Sequence, residues 1–209
     1  MNDYHIKDVV LKYIKVAKSN GYEDDDIQVL APMYHGINGI DNLNDILQDY
    51  FNPHDDELNE LRVGKVIYRE NDKILQLKNQ NDDNVFNGDI GNLVEIEKGN
   101  VLGNSKIYVG YDDNVVEYTS KDFVNITHAY CISIHKSQGS EYPLIILPVT
   151  FAYQRMLAKN LIYTAITRAK QKLVLVGNYD AFLYGINNTN YKIRKTTLKE
   201  RLIKFVNPL

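Results

Sequence analysis

Ser133, His135, Lys136, Ser137 and Gln138 crowd one short stretch, followed by Gly139 and Glu141. Hydroxyl, imidazole and ammonium groups all bond phosphate oxygens, and such contacts position a nucleic-acid backbone without reading its sequence. Gly139 frees the backbone at the end of the stretch. Glu141 disfavours phosphate, but a carboxylate accepts hydrogen bonds from ribose hydroxyls. Arg168 follows later, near the end of an apolar helical pattern. A cation there interacts favourably with the helix dipole, and taken alone a His-Lys pair is ordinarily part of a solvated loop.

These residues require elements that bring them to one edge. The apolar run Ala129–Ile134 reads as a strand delivering the polar cluster at its carboxyl end, where ligands of open α/β sheets collect. Leu144–Val149 reads as a second strand, Leu157–Ala169 as a helix with Leu161, Tyr163 and Ile166 inward, and Leu173–Gly177 as a third strand. Near the start, Ile6, Val9, Val10, Tyr13, Ile14 and Ala17 follow helical spacing up to Asn20-Gly21. Ile27–Ala31 reads as a strand and Asp41–Tyr50 as a helix with Leu43, Ile46, Leu47 and Tyr50 on one side. Between these α/β parts lie five short β-type runs, Lys65–Arg69, Lys73–Leu77, Gly91–Ile96, Lys106–Val109 and Val115–Tyr118, separated by Asn/Asp/Gly turns. The pattern predicts a discontinuous α/β domain over 1–61 and 124–209, interrupted by a small antiparallel barrel over 62–123.

Composition sets outer bounds. The 209 residues are 44% hydrophobic and 24% charged, ordinary for a globular chain, and the net charge of −3 gives no general attraction to nucleic acid. Charge is uneven: Glu23–Asp26 is an acidic run, whereas Lys192, Arg194, Lys195, Lys199, Arg201 and Lys204 surround the single Glu200 near the end. Thr197-x-x-Glu200 ahead of Leu202, Ile203 and Phe205 is a capping-box pattern and predicts a closing helix. The lone Cys131 excludes an internal disulfide and fits a reducing compartment. The cytoplasm is the default location for such a chain, and no run reaches the roughly 18 apolar residues of a membrane span, so no membrane partner is expected.

The string His135-Lys136-Ser137-Gln138-Gly139-Ser140-Glu141-Tyr142 closely resembles motif V of RecD-like superfamily 1 helicases, and Asn160–Lys170 resembles motif VI. Gln28–Asn44 is similar to the motif IV region, except that Tyr34-His35 stands where related chains often have basic residues. Gln76-x-Lys78-Asn79 and Val85–Gly91 resemble the Src-homology-3 (SH3) type barrel that borders the DNA channel in that family. The implied fold is a RecA-like second motor domain without its own P-loop, carrying an inserted SH3-like β-barrel.

The resemblance implies that Arg168 is an arginine finger to the γ-phosphate of ATP, with Gly139 and Glu141 lining the nucleotide cleft. Tyr163 is left between core packing and a nucleotide role. Ser133, His135 and Lys136 would face single-stranded DNA, and Lys78 is the likeliest barrel residue to touch it. No G-x-x-x-x-G-K-[ST] loop or metal-binding Asp-Glu pair accompanies these motifs. The chain is therefore expected to be the C-terminal part of an ATP-dependent DNA helicase (exodeoxyribonuclease V α-subunit type) active in repair and recombination. On that reading it is inactive alone, holds no metal of its own, and relies on an N-terminal motor domain for ATP and Mg2+. Other subunits of a recombination nuclease are further expected partners. The alternatives are a non-catalytic nucleic-acid or protein interaction module, and a fragment of a Rep/UvrD-type or conjugative relaxase helicase.

Overall fold

The computed structural model describes residues 3–112 and 114–189, together with 197, 201–203 and 205. The first helix, α1 (Ile6–Ser19), buries Ile6, Val10, Ile14 and Ala17. Tyr13, expected on that face, is 41% exposed because it lies about 100° around the helix from Ile14. The helix ends at Asn20, and Gly21 at φ +88° reverses the chain. Strand β1 (Ile27–Ala31) is buried along its whole length. Helix α2 (Ile40–Phe51) follows a tight glycine loop.

The chain next enters the inserted region. Within it and across its borders lie β2 (Glu60–Val63), β3 (Val66–Arg69), β4 (Lys73–Gln76), β5 (Ile90–Glu97), β6 (Lys106–Gly110), β7 (Val115–Thr119) and β8 (Ile126–His128). A β2–β3 hairpin stands beside a five-stranded sheet of order β7-β6-β5-β4-β8, antiparallel throughout. Tyr68, Ile74, Leu93, Ile107, Val116 and Tyr118 centre its own core. Five of these strands lie at the runs expected from sequence. The two others, β2 and β8, fall outside those runs; β2 is defined by pairing Glu60–Val63 with Arg69–Val66 and β8 by pairing Ile126–His128 with Gln76–Ile74.

The return segment forms β9 (Cys131–Ser133), β10 (Tyr142–Val149), α3 (Lys159–Ile166), β11 (Ala169–Gly177) and α4 (Tyr179–Asn187). Strands β11-β10-β1-β9 make one parallel sheet, with Val29 opposite both Ile146 and Cys131. Side-chain alternation splits its core: Val29, Ala31, Leu144 and Ile146 pack under α1 and α2, while Leu30, Ile145 and Leu147 pack with Leu161, Ala165 and Ala181 of α3 and α4.

Helix α3 is shorter than expected, because Ala169 pairs with Tyr142 and opens β11 instead of closing the helix. Its buried residues are Leu161, Ile162 and Ala165. Tyr163 and Ile166, expected inward, are 67% and 38% exposed. Helix α4 was not anticipated, although Asn178 caps it by accepting the amides of Asp180 and Ala181. The described positions 201–203 and 205 are helical. Lys192, Arg194, Lys195, Lys199, Glu200 and Lys204 lie outside the described residues.

A buried polar hub joins the insert to the parallel-sheet part. Asp72, fully buried, accepts from Gln48 Nε2 at 2.7 Å, Asn52 Nδ2 at 2.8 Å, the Arg69 amide at 2.6 Å and Tyr130 Oη at 3.0 Å. His128 Nε2 lies 3.1 Å away. One turn up α2, Asn44 bonds both the amide and the carbonyl of Cys131. Burial without such partners would be costly, so these contacts fix the geometry at the insertion points.

Candidate nucleotide and nucleic-acid interface

The polar cluster occupies the loop from β9 to β10 and is built from consecutive turns. Ser133 carbonyl accepts the Lys136 and Ser137 amides at 2.9 and 3.2 Å, and Ser133 Oγ also accepts the Lys136 amide. Ser137 Oγ donates to the Ile134 carbonyl at 2.8 Å. Ser133 and Ser137 are both buried, which gives them a loop-shaping part. Gly139 has φ +96° with open space around any added Cβ, so backbone conformation, not crowding, favours glycine there. Gly139 and Glu141 are exposed.

Arg168 meets this loop from the turn between α3 and β11. Its carbonyl accepts the Tyr142 amide at 2.9 Å, its Nη1 donates to the Ser140 carbonyl at 3.1 Å, and its Nη2 donates to Thr167 Oγ1 at 3.3 Å. Ser140 lies between Gly139 and Glu141, so the fold brings the three expected cleft residues to one place. Arg168 Nε is buried without a partner, and both acceptors of the guanidinium are neutral. A partly buried arginine in such surroundings suits an incoming anion. Tyr163 is set apart, beside a surface hollow lined by Lys159, Asn160, Thr164 and Thr189.

The expected DNA-facing residues divide. His135 and Lys78 are exposed. Ser133 is buried, and Lys136 donates to Asn87 Oδ1 of the insert and lies 3.5 Å from the Leu77 carbonyl. Burial pulls the Lys136 ammonium below its ordinary value. In the glycine loop before α2, the Ile40 and Asp41 amides are taken by the Met33 and Tyr34 carbonyls at 2.9 and 3.1 Å. The loop thus closes on itself as a turn. His35 Nδ1 lies 2.8 Å from Asp41.

Sequence reasoning missed the cleft between the insert and the β9–β10 loop. About 440 Å³ in volume, it is lined in part by Phe86, Asp89, Tyr111, Asp112, Ser140 and Tyr142. These residues come from three separate stretches, and the Asn87-Gly88 turn by itself signals only a hairpin. Among the described residues no group of three or more His, Cys, Asp or Glu could hold a metal ion. No described helix is long and apolar enough to cross a membrane.

A parallel sheet covered by helices, a strand-to-strand loop tied to an arginine ahead of the last strand, and an antiparallel insert define a RecA-like second motor domain of helicase type. Residues 128–176 match the UvrD-like helicase C-terminal domain, and residues 43–111 match the SH3 domain of ATP-dependent RecD-like DNA helicases. The ATP-dependent RecD2 DNA helicase of Deinococcus radiodurans is 33% identical over 84% of this chain and 23% of its own length. The RecBCD enzyme subunit RecD of Buchnera aphidicola (subsp. Acyrthosiphon pisum) is 28% identical over 78% of this chain and 27% of its own. The chain thus spans about a quarter of these relatives. Pif1 helicase from Bacteroides, crystallised with ADP-AlF3 and ssDNA, superposes with a TM-score of 0.51 at 14% identity, covering 90% of this chain and 47% of that one. The chain belongs with the RecD-like superfamily 1 helicases and corresponds to their C-terminal region, a second motor domain with an inserted SH3 domain.

Proposed function

We propose that this chain forms the responding half of an ATP-driven DNA motor. A partner motor domain holds ATP and Mg2+; this domain closes over the nucleotide and presents Arg168 to the γ-phosphate. Gly139 and Glu141 line the same cleft, Glu141 accepting from ribose hydroxyls. The observation that carries this reading is Arg168 itself: a guanidinium with only neutral acceptors and a buried, unpartnered Nε, beside the β9–β10 loop. Neutralising charge on a transferring phosphoryl group needs a cation not already compensated within the fold. His135 and Lys78, both exposed, are the foremost candidates for contact with the single-stranded DNA backbone. The motor part comprises 1–61 and 124–209 and the insert 62–123. Subunits of a recombination nuclease are further partners of the whole protein, whose setting is cytoplasmic.

In a helicase containing this region, Arg168→Ala should lower DNA-stimulated ATP turnover by about 10³-fold or more while leaving oligonucleotide affinity nearly unchanged. Turnover at the parental rate in a steady-state ATPase assay would refute the assignment.

A further inference from the structure

Lys136 stands beside exposed His135, yet its ammonium turns toward the insert, to Asn87 Oδ1 and the Leu77 carbonyl. The receiving turn is firmly built. Phe86 amide donates to Asp89 Oδ2 at 2.8 Å, Asn87 amide to Asn79 Oδ1 at 2.8 Å, and Gly88 amide to the Gln76 carbonyl at 2.9 Å. These bonds fix the Asn87 backbone and leave its side-chain oxygen to receive the lysine. Gly88 has φ +107°, and a Cβ added there would lie 3.6 Å from the Lys136 carbonyl, so the two backbones run in contact. At the far end of the same loop, the Ser140 carbonyl receives Arg168. The β9–β10 loop is therefore held at both ends, by the insert through Lys136 and by the α3–β11 turn through Arg168.

We infer that Lys136 is a positioning residue, a clasp between the β9–β10 loop and the Asn87-Gly88 turn, and not a phosphate contact. By holding the loop against the insert it sets the place of the Ser140 carbonyl and hence of the Arg168 guanidinium. The insert is then part of the nucleotide-sensing side as well as a neighbour of the DNA path. The consequence for turnover rests on the reading of Arg168 above; the clasp itself does not.

Hydrogen–deuterium exchange on the purified chain tests the clasp without nucleotide or DNA. Lys136→Met keeps the aliphatic stem and removes the donor; Asn87→Ala removes the acceptor. Each should speed exchange of the 86–89 and 135–141 amides by about fivefold, and the double variant should add nothing, because both changes remove one bond. Lys136→Arg, which keeps the cation and its reach, should stay near the parental rates. Independent, multiplying effects of the two changes would overturn the proposal. So would unchanged exchange in Lys136→Met accompanied by a drop of about one in the salt slope of oligothymidylate binding, which would assign the lysine to phosphate. Parental ATP turnover in Arg168→Ala, with the exchange results as expected, would overturn the proposed motor role and leave the clasp standing.

Discussion

Arg168 and Glu60 show how differently two charged side chains are used in this fold. Arg168 meets only a carbonyl and a hydroxyl, so its charge is available to a ligand. Glu60 is embedded in a local network: His54 Nδ1 and Arg69 Nε lie 2.8 and 2.7 Å from its Oε1. The hydrogen bond with His54, and then the one from Arg69, hold the Glu60 carboxyl below its ordinary 4.5. The stabilisation is therefore complete above that ordinary value and is lost as pH falls through the lower folded value. His54 stays protonated throughout this acid window, since Glu60 and Asp56 raise its own pKa. Urea unfolding of the parent and Glu60→Gln should show a stability gap at about pH 6 that closes toward about pH 3. A gap independent of pH would contradict this assignment. The strings singled out Arg168, Gly139 and Glu141, and the fold brings them together at one loop, where Arg168 Nη1 bonds the Ser140 carbonyl. The direction of Lys136 was not, because its acceptors Leu77 and Asn87 lie some fifty residues earlier in the chain.

Helix α2 serves two neighbours at once. Ile40, Leu43 and Leu47 face the parallel sheet, and the spacing of Leu43 and Leu47 announced that face in the sequence. Asn44, Gln48 and Asn52, spaced at successive turns, look like a solvated stripe when only the helix is considered. The insert and the segment leading into β9 cover them, and each is bonded: Asn44 to Cys131, Gln48 to Asp72 and the Ile67 carbonyl, Asn52 to Asp72 and the Glu70 carbonyl. Gln48→Ala removes the buried bond to Asp72 and the part-buried one to the Ile67 carbonyl and leaves both acceptors wanting, so it should cost about 2–3 kcal/mol in chemical denaturation. A change below about 0.5 kcal/mol would mean that the stripe is not a structural joint. The short strands β2 and β8 and helix α4 escaped the sequence reading for a related reason. They exist by pairing or packing against elements remote in the chain.

In the whole molecule, the insert is fastened to the motor part at its root by the Asp72 hub and at the β9–β10 loop by Lys136. An insertion joined only by two connecting strands would be free to melt separately. Here Asp72 gathers donors from α2, the insert and the segment returning to β9. Calorimetry of the chain should therefore give a single cooperative transition for the insert and the parallel-sheet part. Asp72→Ala leaves Gln48, Asn52, Tyr130 and the Arg69 amide without their acceptor and should cost about 3–5 kcal/mol, separating the insert's unfolding from that of the motor part. A single transition at the parental midpoint in Asp72→Ala would show that the hub does not couple them.

The sequence by itself determined the class of the chain: continuous apolar runs imply buried parallel strands, turn-punctuated short runs imply the antiparallel insert, and the motif strings name the family they resemble. Local pattern is enough there, because strand burial, turn chemistry and motif identity are all encoded within about ten residues. Only the tertiary structure decided which polar residues face solvent. Ser133 and Lys136 are drawn inward, Tyr163 is turned outward, and Asn44, Gln48, Asn52 and Asp72 become a buried joint. Burial and hydrogen bonding are properties of the neighbour that packs on a residue, and these neighbours are supplied by distant segments of the chain.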